Sequence, residues 1–264
     1  MKNEKYYLNI KTINQMNLNF LIKLATLTRN ATVMELLKVT TDRINERLKE
    51  IDLQFSSFRY DSMVSKFQRG DKTPLTSSND FKRIYNAAIL SEQMTNGIYK
   101  PYFAGKFDPS VVVKSWAIEQ VFNENLKPLL KNPEIVGVYL GTGSSMKFAT
   151  RQDSSFSWEI VIPSAEDEQI LTTYYLKNGA IATSTTNLTG YDLRRIKSDI
   201  KQSTVIRGSL VEASVWSLVA TLSDKEEFSS FVAHYNLTGI FLDKSEQTVN
   251  FNLGNIVENA QVKA

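Results

Sequence analysis

The sequence predicts an α+β fold, with residues 1–264 forming one compact domain. Helix-like and strand-like segments are interspersed without a regular strand-helix-strand alternation, which argues against a doubly wound parallel sheet. No low-complexity linker divides the chain and no internal repeat stands out. At 264 residues and 42% hydrophobic, the chain can bury a sizeable core.

Residues 5–27 read as two strands joined by a turn near Asn14–Asn17. Leu8 and Ile10 alternate in the first strand, and Phe20, Ile22 and Leu24 in the second. A long helix follows, with Thr32 and Glu35 spaced as a capping box. Its Leu37, Ile44, Leu48, Ile51 and Phe55 recur at three, four and seven residues. Residues 70–79 read as a loop. The next helix runs from about Asn79 to Met94 and stops at Asn96-Gly97. Residues 98–110 hold Pro101 and Pro109 and read as loop, and a third helix is expected over about 112–131. Short strands are expected near 134–141, 145–150, 156–162, 168–176 and 179–184, then an irregular polar stretch over 185–198. A strand at 202–207 leads to a helix with Ser209 and Glu212 as its capping pair. Asp224 and Glu227 begin another, whose Phe228, Phe231, Val232 and Tyr235 share a face. Strands at 237–243 and 247–253 complete the reading.

Composition excludes several classes of function. Lys and Arg total 31 against 28 Asp and Glu, a net charge of +3, and the basic residues form no run. That gives no electrostatic case for nucleic acid. Cysteine is absent, so thiol catalysis and cysteine metal sites are excluded. No apolar run approaches the roughly 20 residues of a membrane span, and the N-terminal stretch Tyr6–Ile10 is too short and polar for a signal sequence. A cytoplasmic location is expected, and the Asn-x-Ser/Thr matches at Asn30, Asn187 and Asn236 are read as chance. The only histidine, His234, cannot build a His-based metal site or a triad. Gly141-Thr142-Gly143 lacks the spacing of a dinucleotide fingerprint or a P-loop.

Five segments, in order between about residues 50 and 225, carry a resemblance. The first is Ile51-Asp52-Leu53-Gln54-Phe55-Ser56-Ser57-Phe58-Arg59-Tyr60-Asp61-Ser62, with Val64-Ser65 and Phe67 after it. The second is Ser91-Glu92 with Thr95-Asn96-Gly97-Ile98-Tyr99. The third is Phe107-Asp108-Pro109-Ser110 with Val113-Lys114-Ser115-Trp116-Ala117-Ile118. The fourth is Ala182-Thr183-Ser184, following Trp158-Glu159-Ile160 and Pro163. The fifth is Thr204-Val205-Ile206 leading to Ser209-Leu210-Val211-Glu212-Ala213. Together these resemble the motifs of the FAD:protein FMN transferase (ApbE-like) family, with this chain as a divergent member.

The resemblance implies a T-fold-like α+β architecture. It implies FAD as bound nucleotide, Mg²⁺ as metal, and transfer of FMN to a Thr or Ser hydroxyl of a target flavoprotein, with AMP released. Such phosphoryl transfer relies on positioning and positive charge. Carried over residue by residue, Phe58 matches an aromatic beside the flavin, with a core aromatic as its plainer reading. Asp108 and Lys114 match polar contacts to FAD, Lys114 being alternatively a solvated helix residue. Tyr99 belongs to the second segment, Thr183 and Ser184 match the strand end near the nucleotide, and Met16 stands at the family's Met-Gly-Thr, although Asn17 and Leu18 follow it here. Trp116 is read as core.

The metal positions depart from the family pattern. Its later helix carries an Asp and, four residues on, a Thr, an i, i+4 pair that faces one side of a helix. Here the run is Ala213-Ser214-Val215-Trp216-Ser217-Leu218, so Ser214 and Leu218 take those places. Mg²⁺ favours anionic oxygen, which neither supplies. Val111 and Ser115 replace two glycines, Thr185 another, Lys100 an Asp, and Gly141-Thr142-Gly143 lacks the family's acid. No His-containing segment is recognisable in 190–201. Three readings follow: a transferase whose metal is held by other acids such as Asp108, Asp199 or Glu212; a non-catalytic relative that binds flavin or a partner protein; and a structural paralogue without ligand.

Overall fold

The computed structural model describes residues 5–167, 169–186 and 198–257. The elements in order are β1 (Tyr7–Gln15), β2 (Leu18–Thr26), α1 (Ala31–Phe55), α2 (Met63–Gln68), α3 (Pro74–Ser77), α4 (Asn79–Met94), β3 (Tyr102–Phe103), β4 (Lys106–Phe107) and α5 (Ser110–Val121). There follow β5 (Ile135–Gly141), β6 (Ser145–Thr150), β7 (Trp158–Pro163), β8 (Ile170–Leu176), β9 (Gly179–Thr185), β10 (Ile200–Arg207), α6 (Leu210–Ala220), α7 (Lys225–His234), β11 (Thr238–Asp243), β12 (Thr248–Asn252) and β13 (Asn255–Val257).

Nine strands form one sheet in the order β1-β2-β5-β6-β9-β10-β11-β12-β13. Every neighbouring pair in it is antiparallel. One core lies between this sheet and the helices, drawing on Ile22, Leu24, Val138 and Leu140 from the strands and Leu48, Ile118 and Trp216 from the helices. A second lies on the opposite face, where Trp158, Ile160 and Ile162 of the β7–β8 hairpin cover Val136, Tyr139, Phe148 and Ile181. Central strand β5 is therefore buried on both faces along its whole length, which is why it reads as an unbroken apolar run. Strand β7 covers the sheet from one side only and alternates buried with exposed. No helix among the described residues is long and apolar enough to cross a membrane.

The first hairpin turns through Met16 and Asn17, both at positive φ (54° and 57°). A two-residue turn of the I′ type requires that geometry, and it matches the strand twist. Strand β1 is the sheet edge, and there the expected inward face is corrected: Leu8 and Ile10 are exposed, and Asn9 is buried instead. Asn9 Nδ2 is satisfied by Thr26 Oγ1 at 3.0 Å. Alternation alone cannot tell which face of an edge strand will be covered.

The long helix keeps its expected inward row of Leu37, Ile44, Leu48, Ile51 and Phe55, but its start differs. Asn30, rather than Thr32, is the N-cap, accepting from Val33 N at 2.9 Å. Residues 70–79, expected as loop, contain the single turn α3, and α2 just before them was not expected. The aromatic stretch 98–110 makes the small β3–β4 hairpin, turning through Ala104 and Gly105 at positive φ. The expected helix over 112–131 is regular only to Val121. It continues as a π turn (Phe122–Leu126) and a 3₁₀ turn (Lys127–Lys131), with Pro128 unable to donate to the ladder. Asp224 caps α7 as expected, accepting from Glu227 N at 2.8 Å, and His234 is an exposed residue at its end, packed edge-on against Tyr235. Strand β13 was not expected. Residues 187–197, which hold Asn187 and most of the segment compared with the family's His region, lie outside the described residues.

The cap assignment is testable. Replacing Asn30 with Ala should cost about 1 kcal/mol of stability in urea unfolding, whereas Thr32→Ala should stay within about 0.5 kcal/mol. Equal losses would contradict the observed cap.

Candidate functional site

Three local arrangements bring a group of small polar residues to one end of the sheet. The first concerns the start of α5. Phe67, Phe81 and Phe107 pack edge-to-face or tilted with ring centroids 5.3–6.1 Å apart, and Gln68 Nε2 donates to Phe107 O at 2.7 Å. These contacts hold the β3–β4 hairpin, so Asp108, which follows it, has a set position. Its N–H donates to Pro101 O at 2.8 Å, and its Oδ1 accepts from Ser110 N at 3.1 Å. In the same hairpin the Tyr102 phenol is pushed up to about 12, first by burial and then by Tyr85 and Glu92.

The second is the tight β5–β6 turn. Thr142 N donates to Ser145 O at 2.7 Å, and Thr183 N on β9 donates to Ser144 O at 2.8 Å. A side chain at Gly141 would meet Met146 Cβ at 2.7 Å and Ser145 O at 2.9 Å. Glycine is therefore required there by the close approach of β6, a packing role rather than a phosphate-binding one. Gly143 faces open space.

The third is the placement of α6. Ser209 is its N-cap by position, but its side chain does not close the expected capping box. Glu119 of α5 does that work instead. Its Oε2 accepts from Leu210 N and from Ser209 Oγ, both at 3.1 Å, while its Oε1 pairs with Lys147 Nζ of β6 at 2.6 Å. Glu212 is turned to Arg207 at 3.0 Å. One carboxylate thus fastens α5, β6 and the start of α6. An anion at a helix N-terminus satisfies free N–H groups and opposes the helix dipole favourably.

These elements enclose a cavity of about 330 Å³. Its walls include Asp108, Val111, Lys114, Thr183, Ser184, Ser214, Ser217 and Leu218, so eight of the residues singled out from the sequence come together on it. Met16, Phe58 and Tyr99 do not line it. Met16 sits half-buried in the first hairpin turn. Phe58 is 96% exposed between α1 and α2, so its plainer reading as a core aromatic is corrected. Tyr99 is fully buried in the main core. Trp116 is in the core too, edge-on to Phe55 at 5.6 Å. Of the acids considered as substitute metal ligands, Asp108 alone reaches the cavity: Asp199 is exposed elsewhere and Glu212 holds Arg207. The sequence reading missed Ser144 and Ser145 as wall residues. Their position directly after the Gly-rich turn was the available signal.

The chemistry of this wall is that of neutral hydroxyls. Ser115 Oγ lies 2.7 Å from Ser214 Oγ and 3.0 Å from Val111 O. Ser217 Oγ lies 2.9 Å from Ser184 Oγ and 3.1 Å from Ser214 O. Thr183 Oγ1 lies 2.8 Å from Thr204 Oγ1. The charges on the lining are one cation, Lys114, and one anion, Asp108. Among the described residues no group of three or more His, Cys, Asp or Glu side chains is placed to hold a metal ion. The described donor set therefore does not fit Mg²⁺, which demands an octahedral, largely anionic or aquated oxygen shell.

A larger recess of about 630 Å³ lies at the other end of β6, β9 and β10, lined by Lys147, Arg207, Asn178 and Asn236 among others. Three of its charged groups are spent on structure, Lys147 on Glu119 and Gly208 O and Arg207 on Glu212 and the Tyr235 and Asn236 carbonyls, while Lys127 on the same lining is exposed and makes no ion pair among the described residues.

Comparison with solved structures gives the same architecture. The chain superposes on the flavin transferase ApbE from Vibrio cholerae with a TM-score of 0.68, covering 94% of this chain and 98% of that one at 14% identity. For the flavinyl transferase ApbE from Pseudomonas stutzeri the TM-score is 0.70, with 95% and 97% covered at 14% identity. For the ApbE protein from Thermotoga maritima it is 0.68, with 94% and 97% covered at 13% identity. The chain has the ApbE flavin transferase fold. Neither a protein-family model nor a curated protein sequence matches it. The ApbE-like fold thus rests on three-dimensional likeness, and the low identity fits a divergent chain.

Glu119→Ala should lower stability by about 1–2 kcal/mol, since a half-buried charge-assisted bridge and the cap of α6 are lost together. Glu119→Gln, which keeps an acceptor for Leu210 N, should lose clearly less. Chemical denaturation of the two variants side by side checks this, and equal losses would mean that the cap contributes nothing.

Proposed function

We propose that this protein is a divergent member of the FAD:protein FMN transferase family and that it binds FAD in the cavity between α5, α6 and the end of β9. The observation that carries this reading is the convergence of Asp108, Lys114, Thr183 and Ser184 on one cavity within an ApbE-like fold. At about 330 Å³ the cavity is near the small end for ligand sites, so it suits the phosphate-bearing middle of the dinucleotide, with the rest extending beyond it. Lys114 is exposed, lines the cavity and makes no ion pair among the described residues, which suits it to a phosphate. The ring of Phe58, almost wholly exposed, is available to stack on the flavin.

In the family reaction a Thr or Ser hydroxyl of an acceptor flavoprotein attacks the FMN phosphorus. A new phosphoester bond forms, the pyrophosphate bridge breaks, and AMP leaves. This chain's contribution would be to bind and orient FAD. A second reading, flavin or partner binding without transfer, is favoured by the neutral wall of Ser115, Ser214 and Ser217, where no carboxylate stands ready to seat Mg²⁺.

Titration of FAD followed by flavin fluorescence should show saturable binding, weakened about tenfold or more in Lys114→Met, where one charge-assisted phosphate contact is lost. The absence of saturable binding would remove the flavin reading. Incubation with FAD, Mg²⁺ and a target flavoprotein domain then separates the two readings: a covalently fluorescent target means transfer, and an unlabelled target with intact FAD binding means a binding protein.

A further inference from the structure

The α5–α6 wall constrains how a phosphate can be met in this cavity. Ser115 and Ser214 are 3% and 7% exposed, and their hydroxyl oxygens are 2.7 Å apart. They tie the two helices together, and Ser115 Oγ also reaches Val111 O. One turn along, Ser217 is fully buried against Ser184 and the Ser214 carbonyl. Leu218 closes the row with hydrocarbon. Each of these serine hydroxyls therefore already has a protein partner, and none carries charge. A magnesium ion would have to part the serine pair, strip its own tightly held water and accept neutral ligands in exchange. Asp108, the carboxylate on the lining, is engaged by Ser110 N.

The rest of the lining is different. Ser144 is exposed, Ser110 and Ser145 are half-buried, and their hydroxyls make no hydrogen bond to another described residue. Lys114 stands on the same lining without an ion pair among the described residues. Three hydroxyl donors and one ammonium group are thus available around a cavity that has no seat for a cation.

We propose that the cavity is a metal-independent pyrophosphate site, in which Lys114 supplies the counter-charge, Ser110, Ser144 and Ser145 donate to phosphate oxygens, and the Ser115–Ser214 pair fills the space a divalent cation would need. This rests on the cavity being the FAD site. The ligand class is a nucleotide with a phosphoric anhydride, bound as the free anion rather than as its magnesium complex.

The test uses the whole chain and three readouts. First, FAD affinity is measured by flavin fluorescence in EDTA and in excess Mg²⁺. Affinities that agree within about threefold support the proposal, and tightening by Mg²⁺ of about threefold or more overturns it while leaving FAD binding intact. Saturable binding in neither buffer overturns the assignment of the cavity to FAD, and the proposal with it. Second, Mn²⁺ is titrated against the protein with and without FAD and followed by electron paramagnetic resonance. No saturable site is expected, and a stoichiometric site at micromolar Mn²⁺ would overturn the proposal. Third, Ser214→Asp should weaken FAD binding in EDTA through charge repulsion, by about tenfold, and Mg²⁺ should restore it. If this variant fails to fold, the wild-type EDTA and Mn²⁺ measurements decide the matter alone.

Discussion

The packing of α5 against α6 over one end of the sheet is the constraint on which the site depends. The two helices are held by a hydroxyl pair, Ser115 and Ser214, and by one carboxylate, Glu119, that reaches from α5 to the first turn of α6 and to Lys147 on β6. The hydroxyl pair is buried, so each hydroxyl must find its partner within the protein, and the carboxylate contact is half-buried. Once both contacts form, the separation of the helices is set, and the cavity between them and β9 takes its shape. The aromatic cluster of Phe67, Phe81 and Phe107 sets the remaining wall, because it positions the hairpin that presents Asp108.

The same packing decides the chemistry of the cavity. Small residues at 115, 214 and 217 let two helices and a strand approach closely, and their hydroxyls satisfy one another rather than facing a ligand. The charges on the lining are Lys114 on α5 and Asp108 just before that helix. An arrangement of this kind stores its polarity in neutral hydrogen bonds, which need no counter-ion and tolerate burial better than an isolated carboxylate does.

Backbone likeness at 13–15% identity follows from how little the architecture asks of individual side chains. A sheet covered on both faces needs apolar residues of suitable volume at alternating positions, and many sequences meet that need. The function of a fold resides instead in a few residues at its site. Val111, Ser115, Ser214 and Leu218, which the sequence resemblance set apart, all belong to the α5–α6 side of the cavity.

Much of the architecture was legible in the amino-acid order. The inward row of α1, the span of α4, the first hairpin turn and the approximate positions of the central strands all follow from local periodicity and turn chemistry, which depend on near neighbours. The motif segments also pointed to the residues of α5, β9 and α6 that meet at the cavity. Which face of β1 is covered, whether Asn30 or Thr32 caps α1, and that Glu119 rather than Glu212 serves α6 were decided only by tertiary structure. So were the burial of Tyr99, the exposure of Phe58 and the pairing of Ser115 with Ser214. Apart from the cap of α1, whose partner is three residues away, most of these depend on partners far along the chain, and a hydroxyl or carboxylate carries no local mark of the group it will meet.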